Sequence, residues 1–144
     1  MQNLLLTRRA ALGATLAAAT VRHASADALP AALGAAGAAA LGDPGSTAVI
    51  AADDQVPSLT RMLGAAGVRH SLLDGSVDAL ASGGLLVVPV TLAKGLEFDH
   101  VIVVEPGRIA AAEARGLHRL YVALTRAVSR LTVLHAEPLP AELC

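Results

Sequence analysis

The chain of 144 residues has one lysine, one cysteine, one tyrosine, one phenylalanine and no tryptophan. Each scarcity excludes something. A P-loop requires a Gly-Lys pair within a glycine-rich turn, and the residue before Lys94 is Ala93, so a standard phosphate cradle is ruled out. The single Cys144 rules out an internal disulfide and a cysteine metal centre, and the five histidines lack ligand spacing, so no metal site is expected. With Tyr121 and Phe98 as the only aromatics, the stacking platforms of single-strand binders are missing. No apolar run reaches the roughly twenty residues of a membrane span, so no membrane partner is expected. A formal charge of −1 gives no global sign of nucleic-acid binding.

What is present is patterned. Five arginines and one acid, Glu113, lie between Arg108 and Arg130. Thr47 to Ala52, Leu85 to Val90, Val101 to Val104 and Leu131 to His135 read as strands. The Leu85 to Val90 and Val101 to Val104 runs are continuously apolar, as in parallel strands covered on both faces. Residues 27 to 41 and Val56 to Ala66 read as helices, the first weakened by its glycines. Ala110 to Val128 predicts the longest helix, with Leu117, Leu120, Tyr121, Leu124 and Val128 on one face. Gly42 to Gly45 and Asp74-Gly75 mark turns. Strands alternating with helices predict an α/β fold with a parallel sheet.

Two segments carry the chemistry. Leu85 to Val90 leads into Thr91-Leu-Ala-Lys-Gly-Leu-Glu-Phe98, and Leu120-Tyr-Val-Ala-Leu-Thr-Arg-Ala127 follows about thirty residues later. Ligands of open parallel sheets collect at the carboxyl ends of strands, so the Thr91 to Glu97 loop is expected there. Gly95 allows close backbone approach to a phosphate or ribose. Thr91 offers a hydroxyl, Lys94 a mobile cation, and Glu97 a carboxylate for sugar hydroxyls. Arg115, Arg119 and Arg126 fall on one helical stripe, whose ordinary fate is a solvated charged face. Tyr121 is expected at the edge of the core.

The two segments resemble motifs V and VI of the UvrD/Rep-like superfamily 1 helicases, most closely the HelD-like branch. The strong part covers about residues 85 to 136 and a weaker one reaches back to about residue 44. The resemblance implies a partial RecA-like domain, the second of two motor domains, at residues 27–144. It is a short form, with too little sequence before motif V for a 2B insertion. It implies that Gly95 and Glu97 lie near bound ATP, that Thr91 and Lys94 contact nucleic acid, and that Arg126 reaches the γ-phosphate. Arg126 would be the catalytic residue, exposed near the carboxyl edge beside Gly95 and Glu97, without a saturating carboxylate, and dispensable for stability. The Leu85 and Val101 strands would be neighbours joined by a short helical crossover.

The P-loop and the acidic magnesium motif have no counterpart here, and the Thr47 strand ends Ala51-Ala52-Asp53-Asp54 without the arginine common in UvrD and Rep. ATP with Mg²⁺ would therefore be shared with a first RecA-like helicase domain that holds the metal, and the chain alone would be inert. DNA is the expected track. A non-catalytic module contacting RNA polymerase, and a truncated remnant, are the alternatives. Residues 1–26 form an alanine-rich segment that reads as an amphipathic helix. Arg8-Arg9 and Ala24-Ser-Ala26 also fit a twin-arginine export signal. An ATP-driven motor belongs in the cytoplasm, which is the expected location, with export the minor alternative.

Overall fold

The computed structural model describes residues 18–74 and 83–143. Six parallel strands form one sheet: β1 (Ala18–His23), β2 (Thr47–Ala51), β3 (His70–Leu72), β4 (Leu85–Pro89), β5 (Phe98–Val104) and β6 (Ala127–His135). Their order across the sheet is β1-β6-β5-β2-β4-β3. Helices α1 (Leu29–Leu41) and α2 (Val56–Ala65) lie against one face. Helices α3 (Pro106–Ala111) and α4 (Gly116–Leu124) lie against the other. This is the expected α/β fold with a parallel sheet flanked by helices.

The apolar runs become central strands because neither face meets water. Val49, Val87, Ile102 and Val104 pack under α1 and α2 with Leu33, Leu59 and Leu63. Ile50, Val88, Val101 and Val103 face Ile109, Leu120 and Leu124. Each such side chain contributes about 1.5–3 kcal/mol when removed from water, so the three-strand centre β5-β2-β4 dominates stability.

Five expectations need correction. β4 and β5 are parallel and buried but not adjacent, because β2 lies between them. Lys94 to Phe98 form no helical crossover: a 3₁₀ turn at Val90–Leu92 is followed by a further turn at Lys94–Gly95. The helix expected over 110–128 breaks in two. α3 ends at Ala111, α4 starts at Gly116, and β6 begins at Ala127, so Val128 stands on a strand. The buried face of α4 is Gly116, Leu120, Ala123 and Leu124. Leu117 and Tyr121 are 46% and 51% exposed, so neither belongs to the core. Finally, residues 18–23 of the alanine-rich tract are not helical. They form an edge strand paired with β6 from Ala18↔Arg130 to His23↔His135. Ala and Arg there are exposed on both faces, so ladder hydrogen bonds rather than an apolar stripe hold them, and periodicity gives no signal. The Arg8-Arg9 pair and Gly75 of the Asp74-Gly75 turn lie outside the described residues, and no described helix is long and apolar enough to cross a membrane.

Candidate functional site

The order of the strands splits the first motif between two edges of the sheet. Pro89 stands level with Ala51 at the carboxyl end. Thr91 is held just beyond it: its Oγ1 donates to Asp53 Oδ2 at 2.5 Å and its N–H to Asp53 Oδ1 at 3.3 Å. Because β5 is parallel to β4, the chain must return to the amino end before Phe98. It does so in residues 93–97, across the α4 face, with Ala93 buried and Leu96 half-buried in the cluster around Leu120 and Leu124. Phe98 N–H donates to the Arg126 carbonyl at 3.0 Å, at the start of β5 and β6. Gly95 and Glu97 therefore lie toward the amino edge, and the expectation that the whole loop sits at the carboxyl edge holds only for its first residues.

At the amino edge the two motifs meet. Arg126, just after the end of α4, donates from Nη1 to the Leu96 carbonyl at 3.3 Å. Its Nε donates to the Val122 carbonyl at 3.1 Å and its Nη2 to Thr125 Oγ1 at 3.4 Å. No carboxylate among the described residues is ion-paired with it. The guanidinium is half-buried rather than exposed. It thus closes the helix end and holds the Gly95–Glu97 turn, and the expectation that it is dispensable for stability is withdrawn: each bond to a carbonyl contributes about 1 kcal/mol. Gly95 has φ +84, with open space where a side chain would stand, and Glu97 and Lys94 are exposed. Beside Glu97 opens a hollow of about 490 Å³, lined among others by Gly45, Ser46, Arg69, Gly83 and Phe98.

The floor of that edge is fixed by a pairing no local pattern reveals. Asp99 Oδ2 accepts from the Ser46 N–H at 2.7 Å and from its hydroxyl at 3.1 Å, while Ser46 Oγ accepts from the Asp99 N–H. The Ser46 backbone bond, then its hydroxyl, hold the Asp99 carboxyl below its ordinary range. Asp99 is thereby committed to tying β2 to β5, which leaves Glu97 as the solvent-facing carboxylate of the turn.

The carboxyl edge has a different character. A cleft of about 330 Å³ is floored by Ala52, Val90 and Ile109 and rimmed by Asp53, Asp54, Glu113 and Arg119. Arg119 Nε pairs with Glu113 at 2.7 Å. Arg115 is exposed at the start of α4 and Arg126 stands at the other edge, so the three arginines form no common stripe. Thr91, expected to touch a phosphate backbone, thus sits among carboxylates. Asp53 is the residue that sequence reasoning missed here; it stands where the family's arginine was sought. Glu105 was missed as well. It is buried with φ 51, and its Oε1 accepts the N–H groups of Ala136 and Glu137 at 2.9 and 3.2 Å, anchoring the exit of β6. No group of histidines, cysteines or carboxylates among the described residues is arranged to hold a metal.

One titratable group behind the amino edge sets a pH dependence. His100 donates or accepts at Nε2 with Thr132 Oγ1 at 3.0 Å, while its buried Nδ1 has no partner among the described residues. Burial first, then the nearby Arg130, pushes its pKa below the ordinary value, against a smaller opposing effect of Asp43. The folded chain therefore resists a proton that the unfolded chain accepts below about pH 6.5. Stability should fall as pH drops from there through the folded pKa. In urea titrations from pH 7.5 to 5, His100→Gln should flatten this slope; an unchanged slope would assign it to other groups.

Comparison with known proteins gives four results. The C-terminal domain of a possible DNA helicase from Lactobacillus plantarum WCFS1 is similar over 90% of this chain and 79% of its own, with 28% identity and a TM-score of 0.70. The Sulfolobus solfataricus SWI2/SNF2 ATPase core, solved in complex with double-stranded DNA, matches 89% of this chain and 29% of its own. At 13% identity and a TM-score of 0.52 that likeness is one of fold. No curated protein matches. Residues 84–134, which supply β4, the loop to β5, β5 itself, α3, α4 and most of β6, match the model of the UvrD-like helicase C-terminal domain.

Proposed function

We propose that this chain is the second motor domain of a UvrD-like, ATP-dependent DNA helicase or translocase of the short, HelD-like form, built on residues 27–144 together with the β1 strand that joins their sheet. Gly95 and Glu97 face the nucleotide, with Glu97 accepting from the ribose hydroxyls. Arg126 reaches the γ-phosphate of ATP whose Mg²⁺ is held by a first RecA-like domain. The observation that carries this reading is the contact of the Arg126 guanidinium with the Leu96 carbonyl. It puts an always-charged phosphate-binding group beside the turn that would hold the sugar. The bonds it makes to carbonyls are neutral acceptors, which a phosphoryl oxygen can replace with a charge-assisted partner. Lys94 and Thr91 serve the nucleic-acid track, and the motor works in the cytoplasm.

The acid rim around Thr91 favours a second reading for that edge alone. Asp53, Asp54 and Glu113 oppose a phosphate backbone and suit a basic protein surface, as in a non-catalytic interaction module acting on RNA polymerase.

With no phosphate cradle, the isolated chain should hydrolyse ATP no faster than buffer, with or without DNA. Turnover should appear when it is joined to a P-loop-bearing first domain. Nucleic-acid-stimulated ATPase activity in the purified chain alone would sink the assignment.

A further inference from the structure

We propose that Asp53 is a latch on the nucleic-acid track: it holds both donors of Thr91, and a backbone phosphate must displace it to reach that residue. The inference rests on the reading of Thr91 as a nucleic-acid contact.

Three observations lead there. The first is register. β2 and β4 are neighbouring parallel strands, with Ala51 level with Pro89. The extended residues Ala52 and Pro89 each lead into a 3₁₀ turn, Asp53–Gln55 after β2 and Val90–Leu92 after β4. Two residues beyond the level pair, one turn carries Asp53 and the other Thr91. The sheet itself therefore brings the two side chains face to face.

The second is bonding. Thr91 has two donors, its hydroxyl and its N–H, and both go to one carboxylate, at 2.5 Å on Oδ2 and 3.3 Å on Oδ1. Phosphate oxygens only accept, so a nucleic-acid backbone needs those same donors. While Asp53 holds them, Thr91 presents a strand with lone pairs alone. The Asp53 bonds and a phosphate at Thr91 are therefore alternatives.

The third is charge. Asp53 and its neighbour Asp54 are exposed, and neither forms an ion pair among the described residues. Arg119, on the same rim, is taken by Glu113. An exposed carboxylate regains water when it swings away, so opening the latch costs its bonds to Thr91 and no burial. Lys94, exposed three residues after Thr91, supplies the cation that favours the open state once a phosphate is present. The track then binds more weakly than Thr91 and Lys94 alone would allow, by the fraction of molecules in which the latch is closed. A latch that recloses on Thr91 also favours release of the strand.

The test uses the chain joined to a P-loop-bearing first domain and reads the concentration of a single-stranded DNA oligonucleotide that half-maximally stimulates ATP turnover. Asp53→Asn keeps the shape without the charge, and Asp53→Ala removes the acceptor. Each should lower that concentration about tenfold, the equivalent of one hydrogen bond to a charged group. Asp53 is a positioning residue that acts through Thr91, so in a Thr91→Val background Asp53→Asn should change the concentration by less than about twofold. Asp54→Asn removes an adjacent charge without touching Thr91 and should have a far smaller effect than Asp53→Asn. A tenfold gain that persists in Thr91→Val, or that Asp54→Asn matches, overturns the latch and leaves plain charge repulsion. An unchanged or raised concentration in both Asp53 variants overturns it too, and a rise would make Asp53 a support for Thr91. Thr91→Val alone should raise the concentration; no change there strikes the reading of Thr91 on which the latch rests. A joined protein whose turnover does not respond to DNA strikes the motor reading, and the latch with it.

Discussion

Replacing Gly116 by valine should abolish the cooperative fold, and replacing it by alanine should cost at least about 3 kcal/mol, the upper end of ordinary overpacking. Gly116 is buried at the first turn of α4, where a Cβ would lie 2.0 Å from the Ala110 carbonyl oxygen and 2.7 Å from that of Ile109. The obstacle is backbone, so no rotamer change relieves it. α3 and α4 would have to separate, and the cluster of Ile109, Leu120 and Leu124 over β5 and β2 would open with them. Gly67→Ala is the control. Gly67 has φ +72 with nothing within 4 Å of an added Cβ, so alanine there costs only left-handed strain of about 1–2 kcal/mol. Urea unfolding of the two alanine variants should rank them in that order; a Gly116→Ala chain as stable as Gly67→Ala would mean that the α3–α4 contact is not as tight as described.

The same residue explains why the longest predicted helix was misread. From Ala110 to Leu124 the apolar spacing suits a helix throughout, and local propensity says nothing of a neighbouring helix end pressing on Gly116. The change to strand at Ala127 is equally silent, because Val128 fits either period. By contrast β2, β4 and β5 were legible as strands, since burial on both faces demands unbroken apolar runs. β1 was not, because its exposed alanines need no such run, nor was β3, which has only three residues.

Of the candidate site, the residue types were legible and their placement was not. Lys94 to Glu97 and Arg126 are marked by motif, and the Arg126–Leu96 contact joins the two segments. Which edge they occupy depends on β2 standing between β4 and β5, a long-range fact absent from any local window. The Asp53–Thr91 and Ser46–Asp99 pairs span 38 and 53 residues, and each side chain alone reads as an ordinary turn residue.

The central claim is that Arg126 serves a phosphate rather than only the fold. Its three bonds to Val122, Leu96 and Thr125 mean that Arg126→Ala destabilises by about 1–3 kcal/mol, so turnover must be read well below the unfolding temperature of each variant. Arg119 is the matched comparison: it lies on α4, which Arg126 follows, but pairs with Glu113 at the opposite edge of the sheet. An arginine that neutralises charge on a transferring phosphoryl group is worth about 10³ to 10⁵ in rate, far beyond what a folded but loosened helix end would cost. Arg126→Lys keeps the charge but lacks the planar fork, and should recover only part of that loss. The direct measurement is nucleic-acid-stimulated ATP turnover by the chain joined to a P-loop-bearing first domain, with Arg126→Ala and Arg119→Ala side by side. A fall of at least about 10³ in kcat for Arg126→Ala, with Arg119→Ala close to the unsubstituted protein, is the expected result. Equal turnover in the two folded variants would contradict it and leave Arg126 as a clamp between α4 and the Gly95–Glu97 turn.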